Sequence, residues 1–358
     1  MRAAIEATLN ALWYEQRHAW LGALLRPAAG LYTQLAKYRW VSRKAQRLQA
    51  LSVPVVVVGN IVAGGSGKTP VTQALALALK ARGLRVGIVS RGYGGTVTRA
   101  TRVDETMPQR FGDEPCLLAA TTGCPVAVAR LRSEAVALLC AQSTLDIVLS
   151  DDGLQHAELH RDFELCVVGP RGVGNGLGLP AGPLREPVSR LSTVHAVLTW
   201  GDACPAVPRG QAQWVIHGSH HPLQLLSGNV APEGHLKSLA LLQSKALPTK
   251  NKLRVFAAAG LAQPQRFYVS LAGAGLAFST LAVADHGSLS PAQWASMAPE
   301  SLVLVTEKDA VKLRHAHLPA KYQRMVRIVP WRVTLPTRLV DTIAALVPTP
   351  DSGAHPPV

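Results

Sequence analysis

Gly64, Gly65, Ser66, Gly67, Lys68 and Thr69 follow four consecutive valines, Val55 to Val58, and lead into an alanine- and leucine-rich run. Glycines let backbone N–H groups come close to an anion, and a helix N-terminus behind them adds further N–H groups and the positive end of a dipole. A lysine at the end of such a turn neutralises the β- and γ-phosphates of a nucleotide, and the hydroxyl of the next threonine takes a place on Mg²⁺. The regular spacing GxxxxGK[ST] asks for glycine at residue 62, where this chain has Val62. A buried strand before the turn and a helix after it are what a phosphate cradle requires, so residues 64–69 are expected to bind a nucleoside triphosphate. The competing expectation is an ordinary tight strand-to-helix connection.

A magnesium–nucleotide site also needs a carboxylate at the end of a neighbouring strand. Asp151 and Asp152 close the run LDIVLS and, with Thr69, are the candidate metal ligands. A double aspartate can also cap the next turn, and the glycine-rich turn upstream is what favours the metal. Gln155 and His156 follow within one turn and can line the same site. Arg91, in SRGYGG, falls at the carboxyl end of an expected strand, where a guanidinium can hold phosphate bidentately. GDEP brings Asp113 and Glu114 to the start of a helix, and LPAGPLREP, stiffened by three prolines, presents Arg185 and Glu186. ADHG sets Asp285 beside His286, and a histidine next to a carboxylate can serve as a general base. The stretch TEKD (306–309) has Lys308 adjacent to Asp309, which fails the Asn-Lys-x-Asp spacing that reads guanine, so ATP is the expected nucleotide.

These residues need a scaffold. Strand patterns at 53–58, 85–90, 125–129, 145–152, 164–169 and 195–200 alternate with helical patterns near 68–82, GDEPCLLAATTG and 133–142. That alternation predicts a doubly wound, mostly parallel α/β sheet, in which ligands bind at the carboxyl ends of strands. The glycine-rich turn, SRGYGG and the double aspartate all fall at that end. Residues 201–252 break the pattern with Pro, Gly, His and Ser, and a second α/β unit follows, with RMVRIVPW (324–331) among its strands. The expected division is therefore 1–50, a helical segment; 51–205, the nucleotide-binding core; 206–346, a second domain closing a cleft; and 347–358, a disordered tail.

Composition narrows the partners. The chain has 358 residues, 37 Lys plus Arg against 22 Asp plus Glu, and a formal charge of +15, which favours nucleic acid, an anionic membrane face or a phosphorylated substrate. Its five cysteines form no CxxC pair and are read as reduced core thiols of a cytosolic protein. The N-terminal apolar stretch is broken by Arg26 and Pro27, too interrupted for a signal peptide or a membrane span. Two helices are expected there, 4–25 and 28–50, split at Pro27. Six of the chain's 13 Trp and Tyr residues lie in this segment, at Trp13, Tyr14, Trp20, Tyr32, Tyr38 and Trp40, among seven basic residues from Arg17 to Arg47. Aromatic rings beside basic groups on an apolar helix suit a membrane interface, although a helix packed on the protein's own core would read the same way. Few aromatics elsewhere could stack on bases, so nucleic acid is not expected.

The ordered set GNIVAGGSGKTP, SRGYGG, GDEP, SDDGLQH, LPAGPLREP, DHG and TEKDAVK closely resembles the tetraacyldisaccharide 4′-kinase family, over roughly residues 20 to 345. That family also lacks the first glycine of the turn, so Val62 is no departure. The resemblance implies a P-loop kinase on the cytoplasmic face of the inner membrane, peripheral or monotopic. It would use ATP and Mg²⁺ to phosphorylate the 4′-hydroxyl of a tetraacylated glucosamine disaccharide 1-phosphate in lipid A biosynthesis. It further implies that Lys68 and Thr69 are the P-loop pair, that Asp151 and Asp152 serve the metal, and that Asp113 and His286 accept the hydroxyl proton. Lys68, Asp113, Asp152 and His286 are thus the expected catalytic residues, with Arg185 and Glu186 near them and Arg91 matching without an assigned role. The rival is a switch or assembly ATPase with a protein or nucleic-acid partner, which shares the P-loop and the basic charge.

Overall fold

The computed structural model describes residues 2–15, 17–44, 51–245, 253–261, 263–284, 287–316 and 318–348. It opens with two helices, α1 (Arg2–Tyr14) and α2 (Ala19–Lys44). The break lies between them, where His18 takes a φ of 60°. It does not lie at Pro27, which is inside α2. A proline costs a helix one N–H and leaves one carbonyl without its partner. Ala23 and Pro27 are both exposed, so that loss is not buried and α2 continues through it.

The chain then winds a large α/β layer. It runs through β1 (Val55–Gly59), α3 (Lys68–Lys80), β2 (Val86–Ser90), β3 (Thr101–Arg102), α4 (Pro108–Phe111), α5 (Asp113–Thr122), β4 (Val126–Val128), α6 (Arg132–Gln142), β5 (Ile147–Asp151), β6 (Phe163–Val168), β7 (Ala196–Trp200) and β8 (Gln213–His220). A smaller layer follows, with α7 (Leu236–Lys245), β9 (Val255–Ala258), α8 (Pro264–Gly273), β10 (Ser279–Leu281), α9 (Pro291–Ala295), β11 (Leu302–Thr306), α10 (Glu307–His315), α11 (Ala320–Gln323) and β12 (Val326–Val329). The last elements are β13 (Trp331–Thr334) and α12 (Thr337–Ala344).

The large sheet has the order β13-β8-β7-β6-β1-β5-β2-β4-β3. Every neighbouring pair from β8 to β4 is parallel, and only the edges β3 and β13 run antiparallel. The small sheet, β10-β9-β11-β12, is parallel throughout. β1 lies at the centre of the large sheet and is buried on both faces, which is what four successive valines suit. Val56 and Val58 pack with Leu75 and Leu79 of α3 and Leu339 of α12 on one face. Val55 and Val57 meet Val136 and Leu139 of α6 on the other. The expected mostly parallel, doubly wound sheet with a smaller second α/β unit is therefore the observed architecture.

Sheet membership does not follow the expected division at residue 206. β8, β13 and α12 all belong with the large layer, so the small layer is an insertion between β8 and β13. RMVRIVPW, expected as a single strand, serves both sheets. Val326–Val329 completes the small one, Pro330 interrupts the ladder, and Trp331 starts the antiparallel pairing with His220. Proline has no N–H to give to a ladder, so the handover falls there.

Candidate active site

The chain leaves β1 at Gly59, where any side chain would run into Leu154. Val62, standing where the common spacing has glycine, forms a β-bridge with Leu184 and is buried, while the next N–H, of Ala63, donates to Pro183 at 2.7 Å. The turn is thus stitched along one side to LPAGPLREP, and a buried valine fits a stitched, extended segment. The glycines do their work further on. Gly64 and Gly67 have φ of 97° and 81°, and Gly67 is the N-cap of α3, with no side chain capping the free N–H groups of its first turn. A side chain at Gly67 would also strike the Trp200 ring. Uncapped N–H groups at the start of a 13-residue helix form an anion site. A shallow pocket over the turn is lined by Gly65, Ser66, Gly169 and Arg171, by Tyr14 from α1 and by Arg266 from α8, so all three parts of the chain meet there.

The two aspartates have different surroundings. Asp151 ends β5 fully buried. Its Oδ1 accepts from the Thr72 hydroxyl at 2.8 Å and its Oδ2 from the Thr69 hydroxyl at 3.4 Å. Burial, together with the like charge of Glu114, pushes its carboxyl up to about 7 against the pull of the Thr72 hydrogen bond. Asp152 takes a φ of 51°, which turns its side chain out of the strand line toward two cations. Lys68 Nζ stands 3.2 Å from its Oδ1, and Arg185 Nη1 stands 3.2 Å from its Oδ2. Burial alone would raise this carboxyl, but Lys68 and then Arg185 outweigh it and hold it at about 2.

Behind this pair lies a bracing network. Gln155 donates through Nε2 to the Asn60 carbonyl at 2.8 Å and to Glu186 Oε1. Glu186 Oε2 accepts from Arg190 Nε at 3.1 Å, and Arg190 also reaches Glu164. Burial raises the Glu186 carboxyl, and Arg190 opposes it. His156 pairs with Glu158 at 3.1 Å, and burial lowers its ring below the ordinary value. Arg91 is exposed at the end of β2, and its charge lowers both His156 and Arg132.

Two residues here escaped the sequence reading. Asn60 is fully buried and accepts from Lys68 Nζ at 3.2 Å while donating to Ser66 Oγ and the Val62 carbonyl. Arg132, also buried, donates to the Asp151 carbonyl at 3.3 Å, and burial brings its guanidinium down to about 10. Its place after β4, at the carboxyl end of a parallel strand, is the signal that could have found it.

Asp113 is the first residue of α5. It is buried, and its carboxylate lies 3.1 Å from Lys312 of α10. The like charge of the next residue, Glu114, adds to burial in raising the Asp151 carboxyl. Lys68, Thr69, Asp151, Asp152, Gln155, Arg185 and Glu186 are brought together as one connected set. Asp285 and His286 lie outside the described residues.

A family model described as Tetraacyldisaccharide-1-P 4′-kinase matches residues 21–348. The chain belongs to this family. Among relatives named tetraacyldisaccharide 4′-kinase, one from Dechloromonas aromatica is 41% identical over 310 residues, covering 85% of this chain and 88% of the relative. One from Bordetella parapertussis is 42% identical over 340 residues, covering 90% of each. The fold matches the crystal structure of LpxK from Aquifex aeolicus, described as an apo form in complex with ATP, with a TM-score of 0.73 over 92% of this chain and all of that one, at 24% identity. Membership of a kinase family displaces the switch-ATPase alternative.

Proposed function

We infer that the protein is the lipid A pathway kinase its family describes, moving the γ-phosphate of ATP to the 4′-hydroxyl of a tetraacylated glucosamine disaccharide 1-phosphate. The observation that carries this reading is the uncapped start of α3 beside Lys68, with Asp151 and Asp152 at the end of the adjacent parallel strand. Backbone N–H groups of residues 64–69 cradle the phosphates, and Lys68 supplies a positive charge. Asp152 aims Lys68 and joins it to Arg185, so two cations stand ready for the transferred group.

Magnesium fits the residues present. Asp151 is a desolvated carboxylate within reach of the Thr69 hydroxyl, and a nearby cation would relieve the burial that raises it. Among the described residues no three His, Cys, Asp or Glu side chains form a metal cage, and a nucleotide-bound magnesium needs none, since phosphate and water complete its shell. Thr69 and Asp151 would hold it, and Asp152 is better placed as the partner of Lys68. When bound, the ion neutralises charge on the phosphate oxygens. Asp113, with His286, is the proposed acceptor of the hydroxyl proton.

The lipid reading draws on α2. Trp20, Leu24, Leu31, Leu35 and Tyr38 recur at helical spacing, are all exposed and form one apolar stripe, accompanied by exposed Arg26, Lys37, Arg39, Arg43 and Lys44. Among the described residues no helix is long and apolar enough to cross a membrane. The proposed attachment is peripheral or monotopic, on the cytoplasmic face of the inner membrane, with the stripe in the interface. A groove of about 320 Å³ on the other face of α2 is lined by Arg26, Gly30 and Thr33 together with Arg185 and Glu186, beside the phosphoryl site. Incubating the protein with ATP and magnesium, with and without the acylated disaccharide, tests the whole reading. Phosphate should appear on the sugar, and ATP consumption that ignores the lipid refutes it.

A further inference from the structure

The stretch TEKDAVK has no part in the reaction as described above, yet each of its polar side chains is engaged. Thr306 caps α10, accepting from the Asp309 N–H, and its hydroxyl donates to Asp309 Oδ2 at 2.6 Å. Glu307 accepts from the Trp331 N–H and from Arg332 at 2.7 Å, which fastens α10 to β13. Asp309 accepts from the Gly260 N–H at the end of β9. Lys308 and Lys312, four residues apart and so on one face, reach Glu114 at 3.4 Å and Asp113 at 3.1 Å. Lys312 also donates to the carbonyl of Gly287 at 3.2 Å, the residue that follows His286 in sequence. Val311 packs with Phe111, Cys116 and Val128 beneath these pairs.

The Lys312 and Asp113 side chains are each 11% exposed. Burying an ion pair costs desolvation that its attraction barely returns, so stability is a weak reason for this pair. Its place is the stronger reason. We propose that Lys312 is a positioning residue for the kinase reaction, tying the Asp113 carboxylate to the carbonyl of Gly287, the chain neighbour of His286. The proposal rests on the reading of Asp113 and His286 as the groups that take the acceptor proton. Lys312 neither gives nor receives that proton. An ammonium suits the task because its three donors diverge and can serve a carboxylate and a carbonyl at once. Lys308, on Glu114, keeps the start of α5 from turning away.

The experiment compares Lys312→Met, Lys312→Arg, Asp113→Ala and the double variant Lys312→Met with Asp113→Ala, using ATP, magnesium and the acylated disaccharide. Lys312→Met should lower kcat by about 10–10²-fold while KM for ATP stays within about threefold, and Lys312→Arg should recover most of the loss. The double variant should be no slower than Asp113→Ala alone, because the lysine acts through that carboxylate. If Lys312→Met does not fold, Lys312→Gln carries the same comparison. Loss at Asp113 with wild-type kcat at Lys312, or losses that multiply in the double variant, overturns this inference alone. Wild-type turnover in Asp113→Ala overturns the proton-acceptor reading and this inference with it.

Discussion

Asn60 serves three partners with one amide, donating to the Val62 carbonyl at 2.7 Å and Ser66 Oγ at 2.9 Å and accepting from Lys68. Removing it leaves buried groups unpaired, so Asn60→Ala should cost about 1–3 kcal/mol of stability and raise KM for ATP, read by urea unfolding and kinetics on one preparation. Lys68→Ala should lower turnover by about 10²–10³-fold or more with little change in melting temperature, because it removes charge from the phosphate site. A Lys68→Ala protein with near-normal turnover would remove the lysine from the chemistry. The lysine was legible in the sequence because its meaning is local, a glycine turn ending where a helix begins. Asn60 and Lys312 were not, since their roles exist only through partners that folding brings from elsewhere. For Lys312 that partner is 199 residues away in the chain, at Asp113.

At the level of elements, α2 has two faces. Trp40, near its end, packs its ring against the guanidiniums of Arg161 and Arg190, each 5.1 Å from the ring centroid, and this fixes the helix to the core. The opposite stripe is exposed. Leu24→Asp with Leu31→Asp should weaken binding to anionic vesicles by roughly ten- to a hundredfold per residue, from about 1.5–3 kcal/mol of lost burial each, and leave the melting temperature unchanged. Co-sedimentation at low and high salt reads this, and undiminished binding in both refutes the interfacial role. The same guanidiniums hold Glu164. Burial raises its carboxyl, but Arg190 and Arg161 outweigh it and keep the group below its ordinary 4.5. A depressed carboxyl stabilises the fold above 4.5 and loses that contribution as pH falls through the folded value. Glu164→Gln should therefore be less stable than wild type by about 3 kcal/mol near neutral pH, with the gap closing in acid. A gap that does not change with pH would mean that the charge is irrelevant. The central strands were legible because burial on both faces leaves unbroken apolar runs such as VVVV. β8 was not, because an alternating, half-exposed strand near a sheet edge carries His, Gly and Ser that read as loop.

For the whole molecule, the return of the chain after Pro330 decides the architecture. Val333, Leu339, Val340 and Ile343 are buried in the large layer, though they follow the small one in sequence. Ending the chain at Pro330 would forfeit about 6–12 kcal/mol of burial, comparable with the whole stability of a typical domain. Such a truncation should be insoluble or molten by circular dichroism and hydrogen exchange, and a well-folded, ATP-binding product would contradict the assignment of β13 and α12. Periodicity could not show this return, because it reports that a residue is buried and not which sheet buries it. The two tethers of the small layer enter side by side, with Trp331 paired to His220. Glu307 of α10 bridges that joint to Trp331 and Arg332 while Lys308 and Lys312 grip the start of α5, so the insert is pinned to the large layer at its entry and again beside Asp113.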